Sequence, residues 1–156
     1  MNISQGMLKL VSYDMEYLAK SYDWLNDGEI RRLIDGPQIV TYEQQLKWYS
    51  QILLDPTYLI WGVEYNGIAI GACGLKHVDF EKKSGEYWGY IGEKSYWGGK
   101  GHSLLSLIYR KARDYQLDKI DLVVSSFNTR AYKLYITEGF SVTKYEGNKI
   151  YMSKKI

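Results

Sequence analysis

Residues 96–112 read YWGGKGHSLLSLIYRKA, three glycines and a lysine followed at once by a run with helical character. The start of a helix presents unpaired backbone N–H groups and the positive end of the helix dipole, and both attract anions such as phosphate. Glycine assists because it lacks the Cβ that would keep a ligand away from the amides, and because it tolerates positive φ. The stretch therefore predicts an anion-binding loop that leads into a helix from Ser103 to Tyr115.

Two well-known phosphate loops do not fit these letters. A Walker A loop needs Ser or Thr directly after its lysine, whereas Lys100 is followed by Gly101. A dinucleotide fingerprint needs a third glycine where Leu104 stands. The loop therefore indicates a different kind of phosphate or pyrophosphate site, with a glycine-rich turn that binds nothing as the structural alternative.

The composition is that of one ordinary globular domain, which we place at residues 1–156. With 46% apolar and 24% charged residues and two prolines, the chain has no linker or low-complexity tract. No apolar run approaches the roughly 20 residues of a membrane span, and the first residues carry no export signal. The single cysteine, Cys73, cannot form an internal disulfide, and a net charge of +2 is small for a nucleic-acid-binding domain. We expect a cytoplasmic protein that binds neither nucleic acid nor membrane.

Two helices are predicted in the first third of the chain. The helix over 14–27 has Asp14 as its N-cap, and the helix over 41–54 opens with the capping-box pair Thr41 and Gln44. Apolar residues three and four apart give each helix one apolar face. These faces are Met15, Leu18, Tyr22 and Leu25 in the first helix and Tyr42, Leu46, Tyr49 and Leu53 in the second.

The remaining segments predict a sheet with helices packed on it. Strands are expected at 8–13, twice within 57–80 around the turn Asn66-Gly67, and at 85–92. After the helix that starts at Ser103 come a strand at 119–126, a helix at 128–138 and two strands, 140–145 and 149–155, around Gly147-Asn148. An antiparallel meander that feeds a β-α-β-α-β tail predicts a mixed sheet in an α/β (α+β) fold.

A second motif, NTRAYKLYITEGF at 128–140, has the spacing N-x-x-A-x-x-x-Y-x-x-x-G-F. With the glycine loop it closely resembles the GNAT superfamily of acetyl-CoA-dependent N-acetyltransferases. WLNDGEIRR (24–32) and TYEQQLKWY (41–49) look like the branch of ribosomal-protein, polyamine and amino-sugar acetyltransferases. The resemblance implies a mostly antiparallel sheet of six to seven strands with helices on both faces, and acetyl-CoA as co-substrate with no metal.

The loop departs from the family pattern [Q/R]-x-x-G-x-[G/A]. Gly98 stands at the Gln/Arg position, Ser103 at the final small position, and one extra glycine lies in the turn. Because backbone amides rather than side chains cradle the pyrophosphate, the resemblance still implies a coenzyme A site. The residues implied to form it are Ile91, Gly92, Gly98, Gly99, Lys100, Gly101, His102, Ser103 and Asn128.

Acetyl transfer to an amine needs a donor for the carbonyl oxygen and an acid for the leaving thiolate. The resemblance places Tyr135 near the sulfur of coenzyme A, where its phenol would be the acid. Asn128 is an N-cap by its position and a neighbour of the pantetheine arm by resemblance. The oxyanion donor is expected among the backbone N–H groups from Tyr90 to Gly92, where the fourth and fifth strands of this fold diverge.

The attacking amine must also lose its proton, because an alkylammonium has no free lone pair. Strand alternation puts Glu86 on one face with Trp88 and Tyr90. Glu86 also stands six residues before Gly92, as the acidic residue does in this branch. We predict Glu86 as the general base, acting directly or through water, with Asp79 or Glu93 as alternatives.

The acceptor is predicted to be a small-molecule amine, first of all an amino sugar or a nucleotide-linked amino sugar. Trp24, Trp88 and Tyr90 would stack on the flat faces of such a substrate. Protein N-termini and polyamines stay open as acceptors. Two hypotheses belong to other functional classes. One is a coenzyme A-binding regulatory module without catalytic activity, and the other is a phosphate- or nucleic-acid-binding domain. We expect a monomer or a homodimer.

Overall fold

The computed structural model describes residues 7–34 and 40–156. Seven strands and five helices follow one another along these ranges. They are β1 (Leu8–Ser12), α1 (Met15–Leu25), α2 (Gly28–Leu33), α3 (Tyr42–Ile52), β2 (Leu59–Tyr65), β3 (Ile68–Asp79), β4 (Ser84–Ile91), α4 (Gly101–Asp114), β5 (Lys119–Ser125), α5 (Thr129–Thr137), β6 (Ser141–Glu146) and β7 (Lys149–Lys155). A 3₁₀ turn at Lys94–Tyr96 precedes α4. None of the helices in this part of the chain is long and apolar enough to cross a membrane.

The strands form one mixed sheet in the order β1-β2-β3-β4-β5-β7-β6. Only β4 and β5 run parallel, and every other neighbouring pair is antiparallel. Asn66 and Gly67, which join β2 to β3, both have positive φ, 51° and 82°, as the predicted tight hairpin turn requires. The predicted mixed, mostly antiparallel sheet is confirmed.

The parallel pair is short, and this shortness opens the sheet. Ser84–Tyr87 of β4 pair with Lys119–Leu122 of β5 over four residues, after which the two strands share no further pairs. Both strands continue, β4 to Ile91 along β3 and β5 to Ser125 along β7. The divergence expected from the family resemblance is therefore present, and it leaves a gap between the ends of β4 and β5.

Helices cover both faces of the sheet. On one face, α4 contributes Leu104, Leu105 and Ile108 to a core that includes Leu122 and Met152 of the strands. On the other face, α1 and α2 form a second, smaller core, which consists of Tyr13, Tyr17, Leu18, Trp24, Ile30 and Ala72. The expectation of helices on both faces is confirmed.

The buried faces of α1 and α3 differ from the predicted ones. In α1 the buried residues are Tyr17, Leu18, Ser21 and Trp24, whereas Met15 is 51% exposed. In α3 the buried residues are Gln45 and Ile52, whereas Tyr42 and Leu53 are exposed. Both helices carry apolar or aromatic residues on more than one side, so spacing alone could not select the face that packs on the sheet.

The region after α1 also differs from the prediction of one helix over 14–27. Helix α1 ends at Leu25, and Asp27 caps a separate short helix, α2, by accepting hydrogen bonds from the N–H groups of Glu29 and Ile30. The break turns α2 toward the open part of the sheet, where it contributes to the cleft described next.

Candidate active site

A cleft of about 450 Å³ lies between the helices α1 to α3 and the open part of the sheet. Its residues come from the helical side, from β4 and its neighbours, and from β5 and α5. They are Tyr13, Ser21, Leu25, Arg31, Leu33, Ile34, Val40, Gln44, Gln45, Trp48, Tyr58, Lys76, Tyr87, Trp88, Gly89, Tyr90, Val123, Val124, Ser125, Asn128, Ala131 and Tyr135. The cleft thus reaches from the first helices to the gap between β4 and β5.

One wall of the cleft is a chain of aromatic rings. Trp88 and Tyr90, two of the predicted acceptor residues, are stacked with ring centroids 6.3 Å apart. Tyr58 packs against Trp88 at 6.3 Å, and Trp48 packs edge-on against Tyr58 at 6.2 Å. Such a wall offers flat apolar faces with polar edges.

The third predicted acceptor residue, Trp24, is not in the cleft. Its side chain is 5% exposed, its Nε1 donates to Glu93 Oε2 at 2.6 Å, and its ring lies edge-on to Tyr90 at 6.2 Å. The indole occupies the space that a Cβ on Gly92 would need. Trp24 therefore supports Tyr90 from behind, because α1 turns it toward the end of β4.

The charges in the cleft are positive. Arg31 and Lys76 line it, and among the residues that the structure describes no Asp or Glu does so. Burial raises the pKa of Tyr13 to about 12 and also raises the pKa values of Tyr58 and Tyr90. These phenols stay protonated at neutral pH, and the Tyr13 hydroxyl already donates to Ser21 Oγ at 2.9 Å.

Backbone N–H groups face the gap beside β4. Gly92 N donates to Ile70 O at 2.7 Å, which fixes the pairing pattern of β4 with β3. Because alternate residues of an antiparallel strand bond to the same neighbour, Gly89 and Ile91 turn their N–H groups away from β3, into the gap. The N–H of Gly92 is thus committed, and Ile91 is the donor that stays available within the predicted stretch from Tyr90 to Gly92.

Tyr135 lies at the gap, opposite β4. Its ring packs edge-on against Tyr87 of β4 at 6.5 Å and against Phe140 at 5.7 Å. Burial raises the pKa of Tyr135 to about 12. The phenol is therefore held in a fixed place as a proton-bearing group.

The glycine loop runs from the end of β4 to the start of α4. Trp97 Nε1 donates to Ile91 O at 2.7 Å, which ties the loop to the edge of the gap. Gly98 and Gly99 have φ of 96° and 73°, a conformation that side chains disfavour. Helix α4 begins at Gly101, two residues earlier than predicted, and its first helical bond is Leu104 N to Lys100 O.

Within residues 7–34 and 40–156, no side chain caps the start of α4. The N–H groups of Gly101, His102 and Ser103 precede the first helical bond and have no acceptor within the helix. Together with the helix dipole they form the kind of donor set that binds a phosphate. The loop and the helix start therefore fit the pyrophosphate of coenzyme A.

Two side chains of the loop have partners of their own. The Lys100 ammonium lies over the rings of Tyr65 and Tyr96, 4.8 and 5.8 Å from their centroids. His102 Nδ1 pairs with Glu138 Oε2, at the far end of α5. Neither side chain lines the cleft. The groups that the loop presents to a ligand are therefore its backbone amides.

Both polar atoms of the Asn128 side-chain amide form hydrogen bonds. Its Oδ1 accepts from Ala131 N at 3.1 Å, which confirms the predicted N-cap of α5. Its Nδ2 donates to Leu33 O at 3.1 Å, in the last turn of α2. Asn128 therefore ties the helix of the second motif to the helices that cover the cleft.

The sequence interpretation missed Arg130 as a neighbour of the glycine loop. Its Nη2 lies 3.4 Å from the position that a Cβ on Gly98 would take. An exposed cation beside uncapped amides adds to the attraction for an anion. The signal was present, because Arg130 lies inside the second motif, but only the fold brings it to the loop.

Glu86, the predicted base, lies beside the cleft rather than in it. Its carboxylate is 3.6 Å from Lys76 Nζ and 3.3 Å from His77 Nδ1, and the side chain is 23% exposed. The two alternatives do not line the cleft either. Asp79 accepts from Glu81 N and Lys82 N in the turn after β3, and Glu93 accepts from Trp24.

The sequence interpretation also missed Gln45, Arg31, Lys76 and Tyr58 as cleft residues. Gln45 carried a usable signal, because it precedes Trp48 and Ile52 at helical spacing, three and seven residues away. A polar residue on the buried face of a helix indicates that a hydrogen-bond partner, from the protein or from a ligand, lies opposite it.

Comparison with known proteins agrees with this architecture. The model of the acetyltransferase (GNAT) family matches residues 19–140. No curated protein sequence matches the chain. Among solved structures, spermidine N-acetyltransferase from Vibrio cholerae, in complex with coenzyme A and spermine, is 19% identical with a TM-score of 0.85, over 97% of this chain and 96% of that one.

Two further structures are similar to the chain. The N-acetyltransferase PseH from Campylobacter jejuni, in complex with acetyl coenzyme A, is 19% identical with a TM-score of 0.75, over 96% of this chain and 99% of that one. An aminoglycoside acetyltransferase in complex with coenzyme A is 20% identical with a TM-score of 0.78, over 96% and 94%. At these identities the likeness concerns the fold. The family match covers most of the chain, and the chain therefore belongs to the acetyltransferase (GNAT) family, which confirms the predicted fold, the enzyme class and acetyl-CoA as co-substrate.

Proposed function

We propose that the chain transfers the acetyl group of acetyl-CoA to the primary amine of a small molecule, and that this molecule is an amino sugar or a nucleotide-linked amino sugar. One observation carries the proposal. The gap between β4 and β5 opens, beside Tyr135, into a cleft walled by Trp88, Tyr90 and Tyr58. The gap suits an extended arm, and the aromatic wall suits a flat polar acceptor.

The coenzyme A end of the site would be formed by backbone. The amides of Gly101, His102 and Ser103 would hold the pyrophosphate, with the Arg130 guanidinium beside them. The N–H of Ile91 would donate to the thioester oxygen, whose negative charge grows as the amine attacks. The uncapped start of α4 and the unpaired edge of β4 support this assignment.

The reaction exchanges one bond for another. The amine nitrogen attacks the carbonyl carbon, a C–N bond forms, the C–S bond breaks, and the amine's proton is finally returned to the sulfur through solvent. The pKa of Tyr135, about 12, lies above that of a thiol, about 8.5, so a full transfer of its proton to the thiolate is uphill. We therefore assign Tyr135 to stabilise the leaving thiolate by hydrogen-bond donation.

Glu86 is our proposal for the base. Its carboxylate does not line the cleft, and Lys76, which does, stands next to it at 3.6 Å. The amine's proton would therefore reach Glu86 through water. The positive charges of Lys76 and Arg31 help, because a nearby cation disfavours the ammonium form of the acceptor.

The same charges bear on the choice of acceptor. A polyamine or an aminoglycoside carries several ammonium groups and needs carboxylates to bind them. Among the described residues that line the cleft, none has a carboxylate. This supports an acceptor with one amine and an otherwise polar or anionic body, as in an amino sugar.

The test is thiol release from acetyl-CoA by the purified chain with a panel of amines. The panel holds a free amino sugar, a nucleotide-linked amino sugar, spermidine, kanamycin and a peptide with a free N-terminus. We expect turnover with the amino sugars and little with spermidine or kanamycin. Turnover with spermidine or the peptide alone would overturn the acceptor class. Coenzyme A binding by calorimetry without thiol release from any amine would instead indicate a non-catalytic coenzyme A-binding module.

A further inference from the structure

Two buried N–H donors inside the cleft lack a hydrogen-bond partner of good geometry among the described residues: Gln45 Nε2 and Trp88 Nε1, the latter with only the Tyr58 hydroxyl nearby. Gln45 as a whole is only 6% exposed. Buried polar groups in folded proteins are nearly always hydrogen-bonded, because leaving one unpaired costs free energy. Both residues line the cleft, so a ligand in the cleft can supply the missing acceptors.

The absence of a side chain at Gly74 makes room for the Trp88 donor. The Trp88 indole lies across β3 at Gly74, and a Cβ on Gly74 would come within 2.7 Å of Trp88 Nε1. A side chain at position 74 would therefore displace the indole. The Trp88 donor thus has its position because the neighbouring strand carries no side chain there.

Positive charge also lines the cleft. The strand register sets Gly74 opposite Trp88 and Lys76 opposite Glu86, so Lys76 is the next residue on the face that carries the indole. Arg31 approaches from α2, where its Nη1 donates to Asn26 O at 3.2 Å. We call Gln45, Trp88, Lys76 and Arg31 the donor wall. Every member is a donor, and two of them are cations.

We propose that the donor wall binds a phosphate group carried by the acceptor, so that the substrate is a phosphorylated amino sugar, either a sugar monophosphate or a nucleotide-linked sugar. This inference rests on the proposed function and names the chemistry of its substrate. Phosphate oxygens only accept hydrogen bonds, and they are matched by a surface that offers N–H groups and positive charge. Within the wall, Lys76 already has Glu86 at 3.6 Å, so Arg31, whose Nη1 donates to Asn26 O, is the cation that a phosphate would neutralise.

The first experiment compares one acceptor without phosphate and two acceptors with it. Glucosamine, glucosamine 6-phosphate and UDP-glucosamine are tested for thiol release with acetyl-CoA, and for binding by calorimetry in the presence of coenzyme A. We expect at least one phosphorylated acceptor to have a kcat/KM and an affinity about tenfold or more above glucosamine. Preference for glucosamine 6-phosphate over glucosamine supports the proposal directly. Preference for UDP-glucosamine alone supports it only when Arg31→Gln abolishes that preference, because uracil can also stack on the aromatic wall, and a preference that survives Arg31→Gln contradicts the proposal.

The second experiment uses matched variants. Arg31→Gln should lower kcat/KM for the phosphorylated acceptor about tenfold more than it lowers kcat/KM for glucosamine. Arg32→Gln is the control, because Arg32 lies on the same helix, is exposed and does not line the cleft. Its two kcat/KM values should match those of the unmodified chain.

Gln45→Leu gives a readout besides activity. Replacing a buried donor that has no partner with an apolar group of similar size should keep or raise the melting temperature of the free protein. The same change should weaken binding of the phosphorylated acceptor by about tenfold in calorimetry. Gln51→Leu, at an exposed position of α3, should change neither quantity.

The outcomes separate this inference from the proposed function. If glucosamine is acetylated as well as its phosphorylated forms, or if Arg31→Gln and Gln45→Leu lower all acceptors equally, the phosphate site is refuted while the amino-sugar function stands. If no amino sugar is acetylated and none binds, the proposed function is refuted, and the phosphate site is refuted with it. Binding of the phosphorylated sugar without turnover would support the donor wall and refute the acetyl transfer.

Discussion

Tyr135 is the residue on which the chemistry is expected to depend most directly. Its ring is fixed between Tyr87 and Phe140, and burial raises its pKa to about 12, so the phenol stays protonated at neutral pH. Tyr135→Phe should lower kcat by about 10² and leave the KM for acetyl-CoA nearly unchanged, because the lost hydrogen bond is made to the leaving thiolate. Wild-type kcat should not fall between about pH 7 and 10, since Tyr135 loses no proton there.

Steady-state thiol release measures both quantities. Tyr132→Phe, on the same helix but outside the cleft, is the control and should keep the wild-type rate. A wild-type kcat in Tyr135→Phe would remove Tyr135 from the reaction.

Glu86 can be tested in the same way. Glu86→Gln should lower kcat/KM by about 10² to 10⁴ at neutral pH and by less at high pH, where the free amine is abundant without a base. The pH profile distinguishes a base from a merely structural partner of Lys76, whose loss would lower the rate equally at all pH values. Glu81→Gln, exposed in the turn after β3, is the control. A flat loss across pH would show that Glu86 only positions Lys76.

At the scale of elements, the start of α4 depends on backbone conformation. Gly99 has φ of 73° and open space around it, so Ala there meets no clash and adds only the strain of a left-handed conformation. Gly99→Ala should cost about 1 kcal/mol of stability and raise the KM for acetyl-CoA about tenfold, because the amides of the loop would turn.

Gly147 provides a matched control for that change. It lies in the turn between β6 and β7, also has positive φ, 58°, and also has nothing within 4 Å of an added Cβ. Gly147→Ala should lose similar stability in thermal unfolding and leave the KM for acetyl-CoA unchanged. Equal KM values for the two variants would argue against the loop as the pyrophosphate site.

The helices show where sequence patterns stop being sufficient. The caps Asp14, Thr41 and Asn128 were predicted correctly, because a cap is a contact within a few residues of chain. The buried faces of α1 and α3 were not, because each helix is apolar on several sides and the sheet selects one of them. Gln45 was missed for the same reason, because its spacing to Trp48 and Ile52 shows a stripe but not that this stripe is the buried one.

At the scale of the whole molecule, the proposed ligand site lies where the sheet has its shortest strand pairing. The parallel pair of β4 and β5 joins the two halves through four residue pairs. A ligand that fills the gap binds only the folded state, so coenzyme A at 100 times its Kd should add about 2.7 kcal/mol of stability. For a domain of this size that corresponds to a rise in melting temperature of about 5–10 °C.

Differential scanning calorimetry with and without coenzyme A measures this shift. Gly99→Ala, which perturbs the loop, should show a smaller shift at the same coenzyme A concentration, and Gly147→Ala should show the full one. No shift in the unmodified protein at millimolar coenzyme A would contradict binding in the gap.

The sequence by itself determined the local features of this protein. The Asn66-Gly67 turn, the caps, the strand and helix order and the glycine loop before α4 all depend on contacts between near neighbours in the chain, and the two motifs together indicated the acetyltransferase family. Only the tertiary structure decided what the cleft contains. It set Trp24 behind Tyr90, left Glu86 beside the cleft, brought Arg130 to the loop, and turned the unpartnered amide of Gln45 inward. The reason is physical: which side of a strand or helix faces a ligand, and which buried donors lack a partner, are settled by packing between residues far apart in the chain.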